Sequence, residues 1–182
     1  MSGGAQSHFE KLLWHSDEMS IDEIRHSLKQ LIVQKQRWLG TFHPDSRVRC
    51  EAFRASGVEI GLDVFISIGL VVLDNYQPIV RIGDRVDFGN YVSLVAASSP
   101  DHSLLRHHPE VANSCIATLP ISIEDDVWVG SGAIILPGIT IGEKSIVGAG
   151  AVIREDVPPY SVVAGVPGRI IRTLRKENSH DV

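Results

Sequence analysis

The sequence predicts an all-β solenoid, a coil of short parallel strands with helices at its N-terminal end. From Ile123 to Pro158 the chain divides into consecutive hexads opened by Ile123, Val129, Ile135, Ile141, Val147 and Ile153, with Val, Ala, Ile or Ser in fifth place. A period of six is neither the 3.6 of a helix nor the 2 of a lone strand, but it suits a repeated unit of strand and corner. The phase also extends upstream, through Phe42, Val48, Arg54, Ile60, Ile66 and Val72, then Ile82, Phe88 and Leu94 after an offset of four residues around Asn75 to Pro78. A long stretch, Ser99 to about Ile116, interrupts it before Ala117 and Ile121 resume. Branched side chains in first place face inward in short strands, small ones in fifth place relieve the corner, and Gly, Asp or Glu in second place sits where the chain bends.

Ahead of the hexads the period is helical. Ile21, Ile24, Leu28, Leu31 and Trp38 define one apolar face between Met19 and Gly40, with Ser20 and Glu23 as a capping box and Gly40 as the stop. A shorter helix is expected over Phe9 to Trp14. This divides the chain into a helical segment (1–41), the coil (42–160) and a tail (161–182) that leaves the repeat after Pro158-Pro159. The helices are expected to cap the first coil, whose core and strand edges are otherwise open; the alternative is that they shape a binding pocket. Arg54 is the one charged residue at an inward position, so it needs a partner.

With 182 residues and 43% hydrophobic content, one domain with a substantial core is expected. A net charge of −5 disfavours nucleic acid as the main partner. Two cysteines, Cys50 and Cys115, do not suggest a disulfide framework or a cysteine-rich metal site. The N-terminus lacks the regions of a secretory signal and no apolar run reaches about 18 residues, which reads as a cytoplasmic protein without a membrane span.

The run Asp126-Val-Trp-Val-Gly-Ser-Gly-Ala-Ile-Ile-Leu-Pro-Gly-Ile-Thr-Ile-Gly, followed by Ile146-Val-Gly-Ala-Gly-Ala-Val and Val163-Ala-Gly-Val-Pro-Gly-Arg-Ile-Ile-Arg, resembles the hexapeptide-repeat acyltransferases, in their galactoside and maltose O-acetyltransferase branch. The likeness spans roughly Asp74 to Arg172 and leaves out the N-terminal helices. It implies a left-handed parallel β-helix with three hexads per coil, a homotrimer, and acetyl-CoA as co-substrate in a groove between subunits, with no metal. Position by position, it places Trp128, Gly130 and Ser131 beside the pantetheine arm and Ala149 further along it. It also puts Arg154, Arg169 and Arg172 near the phosphates, although Glu155 stands where relatives carry Lys. Gly130 is equally readable as an ordinary repeat residue.

The resemblance further implies direct acetyl transfer to a sugar or saccharide hydroxyl, with a loop histidine as general base. Imidazole suits that role because its ordinary pKa lies near neutrality. Relatives place the histidine immediately before a proline, where this chain has Ser99-Pro100, so His102 is taken as the base. Asp74, Tyr76 and Ser99 are assigned to the acceptor. Two other readings of His102, His107 and His108 are a metal cluster and a merely polar loop. Two other readings of the whole are an N-acetyltransferase of an amino sugar or amine, and a noncatalytic scaffold.

Overall fold

The computed structural model describes residues 3–175. Short strands feed three parallel sheets in rotation, so each coil lays one strand on each face of a prism. The first face is β1 (Glu59–Ile60), β4 (Val80–Ile82), β9 (Ile121–Ile123) and β12 (Thr140–Ile141). On the second lie β2 (Phe65–Ile66), β5 (Asp87–Phe88), β10 (Trp128–Val129), β13 (Ile146–Val147) and β15 (Ser161–Ala164). The third is β3 (Val71–Leu73), β6 (Ser93–Val95), β11 (Ile134–Ile135) and β14 (Val152–Ile153).

The hexad phase is the register of these ladders. Ile123 pairs with Ile141, Val129 with Val147 and Ile135 with Ile153, each partner three hexads on. All six side chains are buried, as are Val127, Ala133, Ser145 and Ala151 in fifth place. The four-residue offset is real: Ile60 pairs with Ile82 and Ile66 with Phe88, and the extra residues form the turn after Asp74.

Three expectations are corrected. The stretch read as hexads from Phe42 is helical: α1 (Gly3–His15), α2 (Ile21–Lys29), α3 (Val33–Phe42) and α4 (Ser46–Ala55) precede the coil, which starts at β1 and not at residue 42. The Ser20–Glu23 capping box is present, but Gly40 does not end a helix. It lies inside α3, where an added Cβ would stand 2.9 Å from the Phe53 ring, so glycine lets α3 and α4 pack closely. Lastly, the repeat runs past Pro158-Pro159: β15 pairs in parallel with β13, and Val157 bridges Ile141. Only then does the chain reverse into the antiparallel β16 (Arg169–Thr173). The rest of the expected tail, from residue 176, lies outside the described residues.

The first coil is capped, mainly by α4. Cys50, Phe53 and Val58 join the prism core, while Val48 and Ala52 pack with Leu12, Ile24, Leu28 and Leu39 of the other helices. Side chains of α4 also meet the carbonyls that the open edge leaves over. Arg49 Nε donates to Ile66 O at 2.8 Å, Cys50 Sγ to Val64 O at 3.2 Å and Arg54 Nε to Ile60 O at 3.1 Å. Burial pushes the Cys50 thiol up to about 11, keeping it a neutral donor at pH 7. Arg54 has the partner its charge requires, Glu51 at 2.5 Å, which Arg25 also binds at 2.8 Å.

Candidate functional site

On the second face, Trp128 points outward and is 55% exposed. Beside it the prism wall is bare backbone. A Cβ on Gly130 would stand 2.5 Å from Ala149 N, one on Gly89 2.5 Å from Ser131 N, and one on Gly148 2.9 Å from the Ala164 Cβ. No larger residue fits these places without moving backbone, because successive coils touch there. Ser131 Oγ accepts from Asn90 N at 3.1 Å. Trp128, Gly130, Ser131 and Ala149 are thus brought together as a strip of small residues edged by an exposed indole.

The basic residues divide. Arg154 Nε and Arg169 Nη1 both lie 3.7 Å from Glu155 Oε1, along a cavity of about 300 Å³ lined also by Asp156, Val163 and Gly168. Glu155 therefore gathers the two cations. Arg172 stands apart on β16, opposite Val162 and exposed.

The loop from Ser99 to Ile116 is pinched at its base by β7 (Ala97–Ser98) and β8 (Ala117–Thr118), an antiparallel pair. Ala117 therefore belongs to this pair, and the coil resumes at Ile121. Within the loop lie a 3₁₀ turn at Leu104–His107 and α5 (Pro109–Ser114). His102, His107 and His108 are exposed. The polar residues on either side of His102 make their own local bonds: Asp101 Oδ1 accepts from Ser99 Oγ at 2.7 Å, and Ser103 Oγ accepts from Leu105 N at 3.2 Å. Among the described residues, no three His, Cys, Asp or Glu side chains are grouped to hold a metal ion.

Asp74 and Tyr76 line a cavity of about 280 Å³ between α3 and the turn after β3. Asp74 is only 2% exposed. Its Oδ2 binds Arg37 Nη2 at 2.7 Å and its Oδ1 accepts from Tyr76 N at 3.0 Å. The expected acceptor-binding carboxylate thus has both oxygens engaged by the protein. It holds a turn in which Asn75 and Tyr76 both adopt positive φ and Gln77 N donates to Asp74 O at 3.0 Å. Such a pair of non-glycine residues persists only when its surroundings impose it.

Sequence reasoning missed Arg37 and Trp38, the α3 residues on the other wall of this cavity. Arg37 Nη2 also donates to Ser56 O at 3.2 Å, but Nε and Nη1 are buried with no acceptor. Leaving a buried donor unmet costs about 1–3 kcal/mol. The helical period shows Arg37 only as polar, and no spacing rule links it to a carboxylate so far along the chain. The helices therefore cap the coil and also wall a pocket.

The family described as "Bacterial transferase hexapeptide (six repeats)" matches residues 120–155. Galactoside O-acetyltransferase of Escherichia coli (strain K12) is 38% identical over 125 residues, which cover 69% of this chain and 58% of that one. The chain thus spans less than two thirds of that relative's length. A hexapeptide-repeat acetyltransferase from Vibrio cholerae, solved in complex with acetyl coenzyme A, aligns with TM-score 0.62 and 28% identity over 93% of this chain and 99% of that one. A maltose O-acetyltransferase from Clostridium difficile aligns with TM-score 0.53 and 26% identity over 93% and 98%. Among the described residues, no helix is long and apolar enough to cross a membrane.

Proposed function

The chain belongs to the hexapeptide-repeat acyltransferase family, and on that premise we propose that it transfers an acetyl group from acetyl-CoA to a hydroxyl of a sugar or saccharide. The observation that carries this reading is its likeness, over 93% of the chain, to a structure in complex with acetyl coenzyme A. The strip beside Trp128 supports it: a slender pantetheine arm needs side-chain-free backbone at close range, and Gly130 with Ala149 offers that. Arg154 and Arg169, drawn together by Glu155, are suited to the phosphates as charged donors. Arg172, on the same strand as Arg169, is given the same role.

The prism is taken to be left-handed and the protein a homotrimer working in the cytoplasm, with the groove shared between subunits. A monomeric mass at micromolar concentration contradicts the shared groove.

In the transfer itself, the acceptor oxygen attacks the thioester carbonyl as its proton passes to His102, and the C–S bond breaks as the C–O bond forms. The protonated imidazole then returns the proton to the departing thiolate, so the enzyme ends unchanged. His102 is exposed on a loop closed at its base, which leaves its ring free to meet a bound acceptor. Ser99, beside Pro100 on the same loop, is taken as an acceptor contact. The test is release of CoA thiol from acetyl-CoA across sugars, amino sugars and amines. Turnover with amines only would instead favour N-acetylation.

A further inference from the structure

We infer that the second face carries a binding slot for a trimethylammonium group, with Asp87 as its floor and the rings of Phe65 and Trp128 as its walls. The slot lies on the first-coil side of Trp128, away from Gly130 and Ala149, and does not rest on the acetyl-transfer reading. The observation that carries it is the row of outward residues on this face. Phe65 pairs with Asp87, Asp87 with Trp128, Trp128 with Ile146 and Ile146 with Val162. Asp87 is the one polar residue in that row of parallel strands. Each step between strands is about 4.8 Å, so the two aromatic residues stand about 9.6 Å apart with a short carboxylate between them. Phe65 and Trp128 are 48% and 55% exposed, and Asp87 is exposed as well. A branched apolar residue in place of Asp87 would continue the row; the acid opens it instead.

Among the described residues, the Asp87 carboxylate has no hydrogen-bond or ion-pair partner. Its nearest cation in sequence, Arg85, donates to Asp126 at 2.6 Å and lies 3.8 Å from both Asp84 and Asp125. Arg172, opposite Val162 at the far end of the row, is four strands or about 19 Å away. Asp63, two residues before Phe65, adds a second exposed carboxylate. The slot is therefore negative, with apolar sides.

Those two properties select the ligand. A cation is drawn to an aromatic face within about 6 Å of the ring centroid, and the middle of this slot is about 4.8 Å from either wall residue. Setting aside the half-thicknesses of two rings, together about 3.5 Å, leaves about 6 Å between them, the breadth of a trimethylammonium head. A primary ammonium gives up more hydration on entering. A neutral head of the same shape leaves Asp87 against apolar groups with no counter-charge.

The test is calorimetric titration of the whole chain with choline and with its uncharged isostere, the alcohol that carries a tert-butyl group in place of trimethylammonium. Choline is expected to bind with a Kd of about 1 mM, as suits a shallow site, and the isostere at least about tenfold more weakly. Asp87→Asn keeps the shape of the floor and removes its charge, whereas Phe65→Ala removes a wall. Each is expected to weaken choline binding about fivefold. Both positions are exposed, so the urea midpoint and the assembly of the variants should stay those of the parent. No saturable heat up to about 20 mM choline, equal binding of choline and its isostere, or full affinity in both variants overturns the proposal. So does a change of assembly in Phe65→Ala, which would give this row to another copy of the chain.

Discussion

Gly130 and Ala149 lie on successive coils so closely that a Cβ on Gly130 would stand 2.5 Å from the Ala149 amide nitrogen. The contact is with backbone, so no rotamer change relieves it. Gly130→Val is therefore expected to destabilise the coil by about 1–3 kcal/mol, the usual range for overpacking, in urea denaturation. If the strip holds pantetheine, the same variant raises KM for acetyl-CoA. Unchanged stability would mean that the coils do not touch there.

Arg49 closes the open end of the coil through Ile66 O, Pro44 O and His43 O, and burial pulls its pKa below the ordinary guanidinium value. Arg49→Met keeps much of the side-chain volume but strands these carbonyls. The expected loss is about 3 kcal/mol in the denaturation midpoint analysis, at the upper end for an unmet buried group. A loss within about 0.5 kcal/mol, typical of surface changes, would remove Arg49 from the cap.

The coil itself was legible because its information is local. Each hexad from Ile123 carries its own inward Ile or Val, and those residues are buried. The error upstream has a physical origin: Phe42, Val48, Arg54 and Ile60 share the spacing of six, but Val48, Ala52 and Phe53 also make a helical face, and a few points cannot separate the two periods. Arg54 was the clue, since a prism interior has no place for a charge, and α4 instead turns it toward Glu51. The strip at Gly130 was readable for the same local reason. Arg37 was not, because its meaning comes from Asp74, 37 residues further along the chain, which the fold brings beside it at the end of the first coil.

At one corner of the prism, Arg85 Nε donates to Asp126 Oδ1 at 2.6 Å, and this bond holds the Asp126 carboxyl below its usual pKa of 3.8. A depressed carboxylate stabilises the fold above the unfolded value and loses that contribution as pH falls through the folded one. Arg85→Gln should thus be slightly less stable than the parent at pH 7, a solvated pair being weak. The gap should close as pH drops below 3.8. Thermal melts of both proteins from pH 7 downward check this; a gap that widens in acid would contradict it.

His102→Ala should lower turnover by about 10²–10⁴-fold, the usual contribution of general-base assistance, while acetyl-CoA affinity stays nearly unchanged. His107→Ala and His108→Ala should do far less. Full turnover in His102→Ala with a working acceptor would place the base elsewhere.

The central claim is acetyl transfer from acetyl-CoA to a hydroxyl, and the most direct measurement is release of CoA thiol together with mass analysis of the acceptor. The expected result is one thiol released for each acetyl ester formed on a neutral glycoside. Acetyl-CoA that is neither bound nor consumed with any sugar, amino sugar or amine would contradict it and leave the prism as a scaffold.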